Sequence, residues 1–108
     1  MARCKPEPEP EPGVDDLYQL LAAYFGDQST EAGVSEVVFV AADHPELHRR
    51  YLAVLDRGIA AAAAGDPEVA RVIENSFAAS ARDAGEARAY LEKVRAEYLR
   101  QYEEAIRA

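Results

Sequence analysis

The chain has 108 residues, of which 49% are hydrophobic, enough for one domain with a core of its own. Its formal net charge of −8 disfavours binding to DNA, RNA or anionic membranes, because those partners require a cationic surface. The only cysteine, Cys4, has no internal partner for a disulfide, and no apolar run has the length of a signal peptide or a membrane span, so we expect a cytoplasmic protein.

The N-terminal segment is dominated by proline and glutamate. Residues 5–12 read KPEPEPEP, in which proline removes backbone donors and the glutamates repel one another. We therefore expect residues 1–13 to be a disordered acidic tail and residues 14–108 to form a single helical domain.

The first helix is predicted over residues 15–25, with Asp15 or Asp16 at its N-cap and Gly26 at its end. Tyr18 lies off the apolar stripe of this helix and is expected to be exposed. The stripe has helical spacing and is expected to face the core. Its members are Leu17, Leu20, Leu21, Tyr24 and Phe25.

The following segment has the weakest pattern. Residues 29–33 are expected to form a loop, after which Ser35 would cap a short helix that extends to Ala42. Periodicity alone does not distinguish a helix from a strand at residues 36–40. A helix is favoured because alanines and acids follow and no partner strand is visible.

Three further helices are expected. Pro45 starts a helix that ends at Gly65, and Asp66-Pro67 starts the next, with Phe77 in its buried stripe. After a loop at residues 80–85, a long last helix spans residues 86–106. The fold class predicted from these elements is all-α, a compact bundle of four to five helices.

Patterns that would indicate catalysis or metal binding are not evident. His44 and His48 have the i, i+4 spacing of a helical metal site, but the sequence contains no further histidine to complete one. We interpret the pair as a cap and a solvent-facing side chain. Adjacent acids such as Glu103 and Glu104 point in different directions around a helix, unlike a catalytic carboxylate pair. We therefore predict no enzymatic activity, no metal site and no cofactor.

The net charge is confined to the first part of the chain. Residues 1–46 contain ten acids and two bases, whereas residues 47–108 contain ten of each. A negative electrostatic field concentrated in one part of the chain suits a basic protein partner, because complementary potentials speed encounter and suppress wrong pairings. The alternative explanation is that the acidic surface serves only solubility.

Several short motifs follow one another in residues 16–100. They are LYQLLAAYF, an acidic loop, a Val-Val-Phe helix, PELHRRYLAVLDRGI, and YLEKVRAEYL in the last helix. Together they resemble the small immunity proteins of bacterial contact-dependent growth inhibition systems. In that family a tryptophan-containing turn follows the first helix, and Trp-Leu begins the last one. Here residues 26–29 and Tyr90-Leu91 take those places.

The resemblance implies a stoichiometric inhibitor of a polymorphic toxin domain, often a nuclease with a basic groove. Acidic side chains would then compete with nucleic-acid phosphates, and Tyr18 and Tyr24 would be aromatic anchors. The acids concerned are Asp15, Asp16, Asp27, Glu31, Glu36 and Asp43.

Two other functions fit the same residues. One is a phage-type acidic nucleic-acid mimic that inhibits a defence nuclease. The other is an oligomerisation module in which the last helix pairs in a homodimer. Its contact stripe would consist of Tyr98, Leu99, Tyr102 and Ile106.

Overall fold

The computed structural model describes residues 13–107, which form five α-helices and, within that range, no β-strand. The predicted all-α bundle of four to five helices is therefore confirmed. The predicted N-terminal tail lies outside the described residues, except for Gly13, the N-cap of the first helix. The helices are α1 (Val14–Tyr24), α2 (Thr30–Ala41), α3 (Pro45–Ala63), α4 (Pro67–Asn75) and α5 (Ala84–Arg107).

Helix α5 is the element on which most of the others pack. Its 24 residues make it about 36 Å long, and it contacts α2, α3 and α4. Successive turns of one face bury an apolar side chain almost completely, which is the helical periodicity expected of a core helix. These residues are Ala87, Leu91, Val94 and Tyr98. Helix α1 completes the core from the other side through contacts with α2, α3 and α4.

Helix α2 is longer than predicted. It begins at Thr30, because Ser29 is the N-cap and its hydroxyl accepts a hydrogen bond from the Ala32 amide at 3.1 Å. The predicted loop at residues 29–33 is therefore wrong, and Ser35 is not a cap; its hydroxyl donates to Gln101 of α5 at 2.8 Å. The preference for helix over strand at residues 36–40 is confirmed.

Gly33 explains why the start of α2 is obscure in the sequence. Glycine disfavours helix, yet here its lack of a side chain allows α2 to approach the end of α1. A Cβ at Gly33 would lie 2.5 Å from Cδ1 of Phe25 and 2.7 Å from the carbonyl oxygen of Tyr24. Tertiary packing therefore outweighs helix propensity at this position.

Phe77 does not belong to the buried stripe of α4, as was predicted. Helix α4 ends at Asn75, and Phe77 follows with φ of +61° and a side chain that is 72% exposed. Ser76 is buried instead, and its hydroxyl donates to the carbonyl of Ile73 at 2.9 Å. The early end of the helix turns the phenyl ring outward.

His48 is not the solvent-facing residue that was predicted. It is half-buried between α3 and α5, with Nδ1 2.7 Å from the Tyr98 hydroxyl and its ring stacked on Tyr102 at a centroid distance of 3.8 Å. Burial lowers the pKa of His48 below 6.5, and the neighbouring charge of Arg49 lowers it further.

The tight contact at Gly33 predicts that Gly33→Ala destabilises the fold by about 1–3 kcal/mol, because a methyl group there meets backbone that has no room to move. Gly85→Ala is the matched control, since it also lies in a helix and its Cβ would approach only the flexible Asp83 side chain, at 3.3 Å. We expect it to change stability by less than about 1 kcal/mol. Urea unfolding followed by circular dichroism measures both, and equal effects would contradict the packing role of Gly33.

The environment of His48 predicts that acid weakens the fold. Because its folded-state pKa lies below 6.5, the unfolded chain binds the proton more readily. The resulting stabilisation is complete above pH 6.5 and is lost as the pH falls through the folded-state pKa. We expect the free energy of unfolding to decrease from pH 7.5 to 5.5, and His48→Gln to flatten this decrease. His44→Gln, at the exposed start of α3, should keep the wild-type slope; if it flattened the slope instead, the assignment to His48 would be wrong.

Candidate protein-binding surface

The two helices that carry the acidic excess lie together in the fold. Residues 13–46, which comprise α1, α2, their connections and the first two residues of α3, contain seven acids and no lysine or arginine. Helices α1 and α2 contact each other through Phe25 and Gly33. The asymmetry of charge along the chain is therefore also an asymmetry between structural elements.

At the start of α1, the two aspartates differ in their surroundings. Asp15 is exposed, whereas Asp16 accepts a hydrogen bond from the Gly13 amide at 2.9 Å and forms an ion pair with Arg50 of α3 at 2.9 Å. The Gly13 hydrogen bond, together with the Arg50 charge, lowers the pKa of Asp16 despite an opposing effect of desolvation. The N-cap predicted at Asp15 or Asp16 is wrong, because Gly13 is the N-cap and Asp16, three residues later, accepts a hydrogen bond from its amide. Since Asp16 also compensates an arginine, less of its charge is available to a partner.

The two tyrosines named as anchors also differ. Tyr18 is 38% exposed on α1, in agreement with its position off the apolar stripe. Tyr24 is half-buried, with its ring edge-on to that of Tyr51 at a centroid distance of 6.2 Å and the two hydroxyls 3.4 Å apart. The pKa of Tyr51 is raised to about 12, mainly because its hydroxyl is buried and also because it is hydrogen-bonded to Tyr24. Tyr24 mainly joins α1 to α3, whereas Tyr18 is accessible.

Asp27 lies at a junction of two loops. Its φ is +58°, and its amide donates to the carbonyl of Phe77 at 3.0 Å, so the α1–α2 and α4–α5 connections are held together. Both residues at the junction have left-handed backbone angles, which cost free energy for residues other than glycine. Asparagine and aspartate tolerate this conformation better than a bulky residue such as phenylalanine. The strain at this junction is therefore concentrated at Phe77.

The outer face of α2 carries an exposed aromatic residue between acids. Phe39 is 82% exposed, with Glu36 one turn before it and Asp43 just beyond the end of the helix. Glu31 is turned toward α5, where it lines a groove with Arg100. Gln28 donates to Glu36 at 3.2 Å and to the carbonyl of Tyr24 at 2.8 Å, which fixes the carboxylate of Glu36 over the α1–α2 connection.

The sequence did not single out Phe39 as a candidate partner-binding residue. Once the helix is known to begin at Thr30, its large apolar side chains separate into a buried stripe and two residues outside it, the partly buried Val40 and the exposed Phe39. The stripe has i, i+3, i+4, i+7 spacing, and Phe39 lies about 100° around the helix from its nearest member, Val38. The buried members are Val34, Val37, Val38 and Ala41.

The predicted acids are spread over several places. Glu36 on α2 and Asp43 just beyond its end flank Phe39, whereas Glu31 is turned toward α5. Asp15 and Asp16 lie at the start of α1, and Asp27 lies beyond its other end. The outer face of α2 and the turn after it combine the most exposed aromatic residue of the described chain with two acids that form no ion pair within residues 13–107. We call this surface the Phe39 face (Glu36, Phe39 and Asp43).

Two other kinds of site are absent from the described residues. Nowhere in residues 13–107 do three or more His, Cys, Asp or Glu side chains converge in a way that could hold a metal ion. None of the five helices is both long and apolar enough to cross a membrane.

The strain at Phe77 predicts that Phe77→Asn leaves stability unchanged or raises it by up to about 1 kcal/mol, because asparagine tolerates φ near +60° and little buried surface is lost. Phe39→Asn is the control, since Phe39 is also largely exposed but lies in regular helix; we expect a change of less than about 0.5 kcal/mol. Urea unfolding measures both variants. Destabilisation of Phe77→Asn by more than about 1 kcal/mol would show that the phenyl ring stabilises the junction through packing.

Comparison with known proteins adds no functional assignment. No protein-family model, curated protein or solved structure matches this chain significantly.

Proposed function

We propose that this protein is an immunity protein: a cytoplasmic, non-enzymatic inhibitor that binds a cognate bacterial toxin domain through its acidic α1–α2 side. The partner is a basic protein, a nuclease with a cationic active-site groove being the class that best fits the charge. The inhibitor would bind neither nucleic acid nor membrane and would require no cofactor.

The observation that carries the proposal is that acidic charge is compensated by arginine in one part of the molecule and not in the other. In α3, α4 and α5, most acids form ion pairs with arginines of the same chain, which neutralises these helices locally. The paired acids are Asp56, Glu68, Glu86, Glu92, Glu97, Glu103 and Glu104.

The acids of α1 and α2 are different. Among the described residues of this part, only Asp16 forms an ion pair with an arginine, and Glu46 contacts the imidazole of His44 at 3.6 Å. Asp15, Asp27, Glu36 and Asp43 are exposed and have no ion pair within residues 13–107. A cationic partner would supply the missing countercharge, and the resulting attraction would accelerate association.

The motif order described above supports the same assignment, because the immunity proteins it resembles act by binding a toxin domain. A phage-type acidic nucleic-acid mimic would use the same surface and differs in the identity of its target. The homodimer is less well supported. Tyr98, in its proposed stripe, is 1% exposed within the monomer, and Leu99 and Tyr102 pack against the core, so that only Ile106 is largely free.

The proposal predicts that the protein forms a one-to-one complex with the C-terminal domain of a secreted toxin encoded by the neighbouring gene. Association should slow as salt rises, as expected of attraction between opposite charges. The triple variant Asp27→Asn, Glu36→Gln, Asp43→Asn should associate about tenfold more slowly at low salt, with a weaker salt dependence. Stopped-flow or surface plasmon resonance measures these rates.

The matched control removes the same charge from the compensated part of the protein, through Asp56→Asn, Glu68→Gln and Glu92→Gln. It should associate at close to the wild-type rate, since those acids already have arginine partners. Equal slowing by both triple variants would mean that only net charge matters. Absence of a complex at low salt would overturn the proposed function.

A further inference from the structure

We propose that Phe39 is the aromatic anchor of the toxin complex, inserting into an apolar pocket that is rimmed by lysine or arginine on the partner. Glu36 and Asp43 would pair with those cations on either side of the ring. This inference rests on the proposed function and adds to it the binding face and the chemistry of the partner's pocket.

The first observation is the exposure of Phe39. It is the most exposed large hydrophobic residue of the described chain, at 82%, although it lies within a regular helix whose other face is fully buried. Helix α2 needs no further apolar side chain for the core, because Val34 and Val37 already fill that face. Exposed aromatic residues of this kind are typical of interface hot spots, where burial in a partner's pocket dominates binding.

The second observation is that hydrogen bonds join α2 to α5 next to Phe39. Beside it, α2 and α5 form an open groove that is lined by Ser35, Val38 and Gln101, among others. The Ser35 hydroxyl donates to the Gln101 side chain at 2.8 Å, and the amide of that side chain donates to the carbonyl of Glu31 at 3.3 Å. These bonds hold α2 against α5, so the anchor is presented on a surface that needs little reordering on binding.

The third observation is charge, which selects the occupant of this face. Residues 13–46 provide no lysine or arginine near Phe39. Arg100 reaches the same groove from α5, but it pairs with Glu97 and Glu104. A partner that buries Phe39 must therefore bring its own cations to satisfy Glu36 and Asp43.

A second copy of this chain does not meet that requirement. A twofold contact through α2 would place Glu36 and Asp43 of one copy against the same acids of the other. Like charges brought together at an interface cost free energy, whereas a basic face turns the same acids into favourable contacts. The geometry thus favours a basic heterologous partner.

The test compares the two exposed phenylalanines against the C-terminal toxin domain encoded by the neighbouring gene. Phe39→Ala should raise the dissociation rate at least about tenfold, as expected for a hot-spot aromatic residue. Phe77→Ala removes a ring that is 72% exposed outside the Phe39 face, and should change the rate less than about twofold. Urea unfolding of each variant confirms that the fold is retained.

A spectroscopic probe keeps the test independent of affinity and of the stability of the alanine variant. The chain contains no tryptophan, so Phe39→Trp produced with 5-fluorotryptophan carries a single fluorine signal. Adding the unlabelled toxin domain should change the chemical shift of this signal and abolish its solvent-isotope effect. The signal of Phe77→Trp should keep its chemical shift and its solvent-isotope effect.

The outcomes separate the two proposals. If the wild type binds the toxin domain but Phe39→Ala dissociates at the wild-type rate, or the Phe39→Trp signal stays solvent-exposed in the complex, Phe39 is not the anchor and the proposed function stands. If the wild type does not bind, the function fails and the anchor with it. A Phe39-dependent homodimer in analytical ultracentrifugation would overturn the choice of a basic heterologous partner.

Discussion

The packing of α5 against three other helices is the constraint on which the rest of the structure depends. Leu91, Val94 and Tyr98 form a continuous buried stripe along this helix, and α2, α3 and α4 each cover part of it. The Tyr98 hydroxyl would be costly to bury alone, and its 2.7 Å contact with His48 of α3 satisfies it. The polar contact joins α3 to α5.

The same helix organises the charge of the molecule. Its outer face alternates glutamates with arginines at i, i+3 and i, i+4 spacing, so that the acids of α5 are compensated within one or two turns. Pairs of this kind contribute little stability on an exposed surface. Because these ion pairs neutralise the acids of α5, the negative field of the protein arises from α1 and α2, which lack arginine and lysine.

The connections at one end of the bundle hold these two acidic helices in place. Gly33 lets α2 reach the end of α1, and the Asp27 amide ties the next turn to Phe77 in the α4–α5 connection. Two residues with left-handed backbone angles at one hydrogen bond represent a local cost that the surrounding packing offsets. As a result of these contacts, the helix that carries the Phe39 face is held at its start by α1 and along its length by α5.

The sequence by itself determined the all-α class, a bundle of four to five helices, and the concentration of acidic charge before residue 47. Helix periodicity, proline at Pro45 and Pro67, and charge composition are local properties, so they are readable without a fold. Only the tertiary structure decided that Gly33 lies inside a helix, that Phe77 turns outward and that His48 is half-buried. It also decided that Phe39 stands alone between two acids. Each of these features depends on which side chain or backbone atom lies opposite in space. Phe25 lies beside Gly33, for example, and Tyr102 lies beside His48. Contacts between residues far apart in the chain leave no periodic signal in the sequence.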